Sequence, residues 1–175
     1  KSKYPKNFSC VIEEQYISGD ASKSNTFDYY KIGKKHRWDA FEIAYLFEDN
    51  KKTCFNVILS MDVYCEMGMD CSVLERLDDL GGGFLYPEIF SNTEDTGETE
   101  VINGYECKKM KVIFDKDDNS TRFVWQAPQL GNFGMKYEVT NDIEKYILVV
   151  NYLDLGFKDS SVFKLPSNKA DLMMF

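Results

Sequence analysis

The sequence is poor in histidine and has no long apolar run. His36 is the only histidine in 175 residues, which excludes a metal site or a catalytic centre built from several imidazoles. No stretch of about 18 apolar residues occurs, so we predict no helix that spans a bilayer. The sequence also contains no Gly-x-Ser-x-Gly, P-loop or Gly-x-Gly-x-x-Gly string. These absences argue against the common hydrolases and nucleotide-dependent enzymes, and we predict a protein without enzymatic activity.

Basic residues are outnumbered, with 21 Lys and Arg against 29 Asp and Glu, a net charge of −8 and a pI near 4.8. Nucleic-acid binding requires Lys and Arg side chains to neutralise phosphates, so we predict no nucleic-acid partner. His36 lies in the short basic run from Lys34 to Arg37, which is typical of a solvated turn. We therefore interpret His36 as a surface residue and not as a catalytic base.

Five cysteines allow at most two disulfides. Cys65 and Cys71 bracket a short loop and are the first candidate pair, and Cys54 and Cys107 are the second. No Cys-x-x-Cys motif is present, so we predict no zinc site, no other metal and no cofactor. The cysteine content and two Asn-x-Ser/Thr sequons favour a secreted or periplasmic location. The absence of an initial Met fits a chain trimmed of a signal peptide.

The aromatic content is high, with 13 Phe and 11 Tyr, which is typical of β-sheet proteins. Asn103-Gly104 is the strongest turn signal, because this pair supplies the two positive φ angles of a two-residue hairpin. Alternating apolar and polar residues without intervening helices predict an antiparallel meander. We expect strands at residues 7–17, 26–32, 37–47, 53–59, 105–114, 121–125, 135–140, 145–153 and 161–166.

The middle of the chain departs from this pattern. Ser72, with Glu75 three residues later, forms a capping box in front of an apolar helical pattern, which predicts a short helix from Ser72 to Leu80. Three glycines end it, and the apolar residues 84–90 then form either a lid or a loop docked on the core. A second apolar cluster, 172–175, closes the chain. Residues 115–119 resemble part of a calcium loop but lack its glycine and its bidentate glutamate, so we interpret them as a solvated turn.

Three stretches resemble the LolA/LolB-like superfamily, which includes ependymin-related proteins. YYKIGKKHRWDAF resembles the early hairpin of that family, GETEVINGYECKKMKVIF with FVWQA resembles its later strand pair, and FKDSSVFKLPSN resembles its closing segment. The order of the three also matches. The resemblance covers roughly residues 26–168.

The resemblance implies a curved half-barrel with one or two helices on its concave face and an apolar cavity between them. It also implies a carrier of lipids, lipoproteins or fatty acids. One departure concerns the end of the ependymin pattern, which has a cysteine after its last proline. Pro166 is followed instead by Ser167, so that disulfide cannot form in the usual way.

Together these observations predict a single α+β, mainly β domain over residues 1–175, with a curved antiparallel sheet of about nine to eleven strands. We expect it to bind a lipid or another hydrophobic small molecule between the concave face and residues 72–90, with contact to a membrane surface or a lipoprotein as a further expectation. The alternative is a secreted or surface module that has a solid core and binds a protein partner. The expected lining residues are Trp38, Phe41, Tyr45, Phe47, Phe55, Phe84, Tyr86, Phe90, Trp125 and Tyr137.

Overall fold

In a computed structural model that describes residues 4–114 and 119–171, the chain forms one open, curved sheet of twelve strands. One α-helix and four 3-10 turns are present in the same residues. The strands are β1 Asn7–Ser18, β2 Ala21–Ile32, β3 Lys35–Ala40, β4 Ile43–Glu48, β5 Thr53–Ile58, β6 Val63–Gly68, β7 Thr93–Ile102, β8 Tyr105–Val112, β9 Thr121–Ala127, β10 Phe133–Thr140, β11 Glu144–Asp154 and β12 Asn168–Lys169. The helix α1 is Val73–Asp79, and the 3-10 turns are Gly83–Leu85, Pro87–Ile89, Pro128–Leu130 and Ser160–Phe163.

The strand order is β12-β6-β5-β4-β3-β2-β1-β11-β10-β9-β8-β7. Two antiparallel meanders, β1 to β6 and β7 to β11, are joined where β1 pairs with β11. Among the strands of the described residues, only the two-residue β12 pairs in parallel, beside β6. The mainly β, curved-sheet prediction is therefore confirmed, but the predicted nine to eleven strands were too few.

The hairpin predicted at Asn103-Gly104 is present between β7 and β8. Asn103 has φ 49° and Gly104 φ 80°, as a two-residue turn of this kind requires. The strand before this turn, β7, forms one edge of the sheet and was not predicted over most of its length. Its residues are nearly all exposed, and the pairing with β8 shifts register between Asp95 and Thr99.

Three predictions about the sheet were wrong. Residues 161–166, predicted as a strand, instead form the 3-10 turn Ser160–Phe163 and the irregular residues after it. Residues 37–47 form two strands and not one, because the chain reverses at Phe41, whose φ is 55°. The residues from Cys65 onwards are not a cysteine-bracketed loop, since Val63–Gly68 is strand β6 and pairs with β5. No Asn-Gly pair or similar turn signal occurs at the reversal near Phe41. Strand β6 has only six residues, too few to show a clear alternation.

The predicted helix is confirmed, together with its cap. The Ser72 side chain accepts a hydrogen bond from the Glu75 backbone N–H (3.2 Å), and the Ser72 N–H donates to the Glu75 carboxylate (2.7 Å). This reciprocal pair satisfies backbone donors at the start of the helix. Leu77 anchors α1 in the core, with 1% of its surface exposed.

The sheet has apolar residues on both faces. We call the face under α1 the inner face; its centre is formed by Phe8, Tyr29 and Trp38, each fully buried. A smaller apolar cluster of Ala44, Leu46 and Val57 lies on the opposite, outer face, where residues 160–165 pack against it. The terminal cluster 172–175 and most of the acidic turn 115–119 lie outside the described residues.

Candidate functional site

The segment of residues 81–90, which we call the covering segment, lies across the inner face after α1. Two close approaches hold it there. A side chain at Gly82 would lie 2.5 Å from the Trp38 ring, and one at Gly134 on β10 would lie 1.9 Å from the Phe84 carbonyl oxygen. Neither position has room for a Cβ atom. The glycines therefore serve close packing of the covering segment on the sheet, and the segment docks on the core.

A cavity of about 190 Å³ lies where the covering segment meets β10 and β11. Phe84 stacks on Tyr137 (centroids 6.4 Å apart), and Phe90 packs on the same ring (5.6 Å). Tyr146 and Leu148 on β11 complete its apolar wall, and Asp78 and Gly81 close it on the helix side. We call this space the inner groove.

Two carboxylates lie at the inner groove, Asp78 in its lining and Glu14 beside it. Glu14 on β1 accepts hydrogen bonds from the Tyr146 hydroxyl (2.8 Å) and from the Asn25 amide (3.0 Å). Burial, together with the bond to Glu14, raises the pKa of Tyr146, so its hydroxyl stays protonated and donates. Burial and the neighbouring Asp79 also raise the pKa of Asp78. The groove thus offers aromatic walls and one hydroxyl, that of Tyr146, which stays protonated; this composition suits an apolar or aromatic ligand.

A buried chain of hydrogen bonds ties the covering segment to the sheet. The Tyr86 and Tyr29 hydroxyls are 2.7 Å apart, Tyr29 lies 2.7 Å from His36 Nδ1, and His36 Nε2 lies 2.9 Å from Asp49 Oδ1. Burial lowers the pKa of His36, and the bond from His36 lowers the pKa of Asp49. A neutral His36 that donates to Asp49 and accepts from Tyr29 leaves Tyr29 free to accept from Tyr86, so every group is satisfied.

The interpretation of His36 as a solvated residue was wrong, because only 2% of its surface is exposed. The ring stacks between Tyr29 and Phe47, at centroid distances of 6.1 and 5.2 Å. A signal for this was present in the sequence. His36 is two residues from Trp38 on the same strand, and alternation places both side chains on one face.

The structure brings three of the ten predicted lining residues together, since Phe84, Phe90 and Tyr137 all line the inner groove. Trp38 and Tyr86 are buried in the core, and Tyr45 packs against it beneath the Arg76 guanidinium (5.3 Å). Trp125 is buried between the Lys109 and Lys136 ammonium groups, 5.6 and 4.3 Å from its ring centroid.

The remaining predicted residues lie elsewhere. Phe41 is exposed at the β3–β4 turn, with 75% of its surface accessible. Phe55 is on the outer face, where it packs against Tyr64. Phe47 packs on His36 and also borders a second cleft of about 390 Å³ on the outer side, together with Phe55.

Neither predicted disulfide is present, because all five cysteines are free thiols. Cys54 on β5 and Cys107 on β8 are separated by seven intervening strands in the sheet order, too far for a disulfide bond. Cys65 lies within β6, where its thiol is 3.7 Å from the Asn56 carbonyl oxygen. Burial raises the pKa of Cys107 to about 11, and burial also raises the pKa of Cys54 above its ordinary value, so both thiols stay protonated.

Across residues 4–114 and 119–171, no group of three or more His, Cys, Asp or Glu is placed to hold a metal ion. A search of the same residues finds no helix that is long and apolar enough to cross a membrane.

No protein-family model matches the sequence, and no curated protein matches it. Solved structures do match the fold. An uncharacterised conserved protein from Thermus thermophilus has a TM-score of 0.59 at 5% identity, covering 96% of this chain and 91% of that chain. MucB in complex with MucA(peri) has a TM-score of 0.55 at 9% identity, covering 94% of this chain and 56% of MucB.

A LolA superfamily protein from Nitrosomonas europaea is also among the matching structures, with a TM-score of 0.39 at 11% identity and with 91% and 90% of the two chains covered. This is the superfamily that the sequence resemblance named. At such low identities the likeness concerns the fold alone. The chain spans just over half the length of MucB.

Proposed function

We propose that the protein is a non-enzymatic binder of a lipid or another hydrophobic small molecule, which it holds in the inner groove. The observation that carries the proposal is the meeting of Phe84, Phe90, Tyr137 and Leu148 around one opening on the inner face. Apolar walls with a few fixed polar groups are the usual composition of small-molecule sites. The proposal includes a location outside the cytoplasm. It also includes contact of the protein with a membrane surface or a lipoprotein.

The size of the groove sets a condition on how a ligand enters. A volume of about 190 Å³ is below the range of about 300–1,000 Å³ that is typical of ligand sites. A long chain therefore needs the covering segment to shift away from β10, or it extends out of the groove along the inner face. Phe90 is the wall residue best placed to move, because it is only partly buried at the end of the segment.

A paired substitution in the covering segment tests this proposal. Phe90 lines the groove, and its neighbour Ile89, which is equally half-buried, does not. We expect Phe90→Asp to weaken the binding of a fluorescent neutral lipid probe by about tenfold or more, because a charge in an apolar site costs over 1.4 kcal/mol. Ile89→Asp is expected to have little effect. Delipidated protein that takes up no probe, or equal losses in both variants, would contradict the proposal.

A second candidate function is the binding of a protein partner. Three exposed apolar side chains, Phe41, Leu59 and Met61, with 75%, 43% and 55% of their surfaces accessible, lie on two turns of the sheet. The turns are neighbours, because the Leu59 N–H donates to the Glu42 carbonyl oxygen (2.9 Å). Exposed apolar clusters often mark interaction surfaces. One structure of similar fold is a protein–protein complex, that of MucB with MucA(peri).

A further inference from the structure

The second cleft lies on the outer side of the sheet and is separate from the inner groove. Its volume is about 390 Å³, and its apolar walls are Leu46, Phe55, Phe163 and Leu165. Leu46 is nearly buried, while the other three are partly exposed. We call it the outer cleft. Its volume lies within the usual range of small-molecule sites, about 300–1,000 Å³.

The wall of the outer cleft formed by residues 160–165 is fixed in place. The Arg37 guanidinium donates to the Val162 carbonyl oxygen (2.7 Å), and it also pairs with both oxygens of Asp39 (2.6 and 2.9 Å). Asp159 caps the 3-10 turn by accepting from the Ser161 N–H (3.0 Å). The wall is thus preformed, which lowers the cost of ordering a binding site when a ligand arrives.

The rim of the outer cleft carries a local excess of positive charge. Lys35 and Lys51 border the cleft, and in the described part of the chain neither has a carboxylate within 4.0 Å. Of the two rim carboxylates, Glu66 is already paired with Lys169 (2.9 Å). Glu48 lies opposite Lys35 across the β3–β4 pair without forming an ion pair. Two unpaired ammonium groups thus face one unpaired carboxylate, in a chain of net charge −8.

We infer that the outer cleft binds a long-chain carboxylate, with its apolar chain against Phe55, Phe163 and Leu165 and its carboxylate at Lys35 and Lys51. A neutral lipid would leave the two ammonium groups without a partner. A carboxylate provides charge-assisted hydrogen bonds to them. The inference does not depend on the proposed function, because the two sites lie on opposite faces of the sheet.

The chain contains matched controls for both lysines. Lys34 and Lys52 are exposed neighbours of Lys35 and Lys51, and neither borders the cleft. The double variants K35E/K51E and K34E/K52E therefore change the net charge equally. The experiment titrates the delipidated full chain with 11-(dansylamino)undecanoate, an acyl carboxylate whose fluorescence rises in apolar surroundings.

We expect K35E/K51E to weaken binding by about tenfold or more, since it removes both charge-assisted hydrogen bonds to the ligand carboxylate and places two like charges beside it. K34E/K52E is expected to change it less than about threefold, the effect of net charge alone under salt screening. L165D is expected to weaken binding in the same way as K35E/K51E. Equal losses in the two double variants, or binding abolished by F90D while K35E/K51E binds normally, would overturn the inference. The latter result would leave the inner-groove proposal standing.

Discussion

Phe41 has a left-handed backbone conformation that suits asparagine or aspartate better than phenylalanine. Among the described residues, the other non-glycine positions with positive φ are all Asn or Asp, whereas Phe41 has φ 55°. Left-handed conformations cost roughly 1–2 kcal/mol for ordinary L-residues, and asparagine tolerates them better. The strain occurs at an exposed position, where the ring touches Phe27 only edge-on, with centroids 6.0 Å apart. This combination points to a role for the exposed ring other than stability.

We therefore expect Phe41→Asn to raise the free energy of unfolding by about 0.5–1 kcal/mol, because the relief of strain exceeds the loss of one edge contact. Phe41→Ala is the matched control, since it loses the same ring and keeps an ordinary L-residue in the turn. Urea unfolding followed by tryptophan fluorescence measures both. An asparagine variant no more stable than the alanine variant would contradict the strain argument. Weaker binding of a partner by the more stable variant would support the second candidate function.

At the scale of elements, the packing of the covering segment on β10 depends on a backbone contact. Gly134 leaves room for the Phe84 carbonyl oxygen, which a Cβ atom would approach to 1.9 Å. Backbone cannot rotate away as a flexible side chain can, so the whole segment would have to move. Because Phe84 is also a wall of the inner groove, this contact couples the position of the segment to the size of the groove.

Gly134→Ala is expected to lower the free energy of unfolding by about 2–3 kcal/mol, the upper part of the usual range of about 1–3 kcal/mol for an overpacked core position, because the clash is with backbone. The variant should also speed hydrogen exchange in residues 81–90, because the covering segment no longer packs closely against β10. Gly68→Ala is the control: this glycine also lies in a strand, has a negative φ and has nothing within 4 Å of an added Cβ. Similar losses of stability in both variants would show that the close approach to Phe84 is not the cause.

The elements that the sequence failed to predict share a physical reason. Strand β7 is polar along nearly its whole length, so it shows no alternation, and its extended form follows from pairing with β8. The β3–β4 turn lacks a Gly or Asn at the position with positive φ. Phe84, Phe90 and Tyr137 were predictable as aromatic residues of the lid and the sheet. The hydrogen bond between Tyr29 and Tyr86 was not, because it joins residues 57 positions apart.

At the scale of the whole molecule, the buried series of hydrogen bonds that links Asp49, His36, Tyr29 and Tyr86 makes stability depend on pH. Burial lowers the pKa of His36 in the folded state below its ordinary value of 6.5. Below that pH the unfolded state binds a proton that the folded state does not, so stability falls as the pH falls. Asp49, whose pKa is lowered by its bond from His36, acts in the same direction at lower pH, below its ordinary value of 3.8.

We expect the free energy of unfolding of the native chain to decrease as the pH falls through the window just below 6.5, the ordinary histidine pKa, because His36 in the fold takes up its proton only at a lower pH. His36→Gln keeps an acceptor for Tyr29 and a donor for Asp49 but does not titrate. Since His36 is the only histidine, this variant should lose the slope in that window and keep the decline at lower pH. Parallel curves for the two proteins in urea unfolding would contradict the role assigned to His36.

An open sheet of twelve strands has two edges, and each could recruit a strand from another molecule. At one edge β12 is only two residues long, which offers little backbone to pair with. At the other, the exposed β7 carries Glu94, Asp95, Glu98 and Glu100, and its irregular register with β8 interrupts a straight ladder of donors and acceptors. A second copy that approached along β7 would bring the same carboxylates face to face. The polar, acidic sequence that makes β7 difficult to recognise as a strand therefore also protects the folded protein from aggregation by sheet extension.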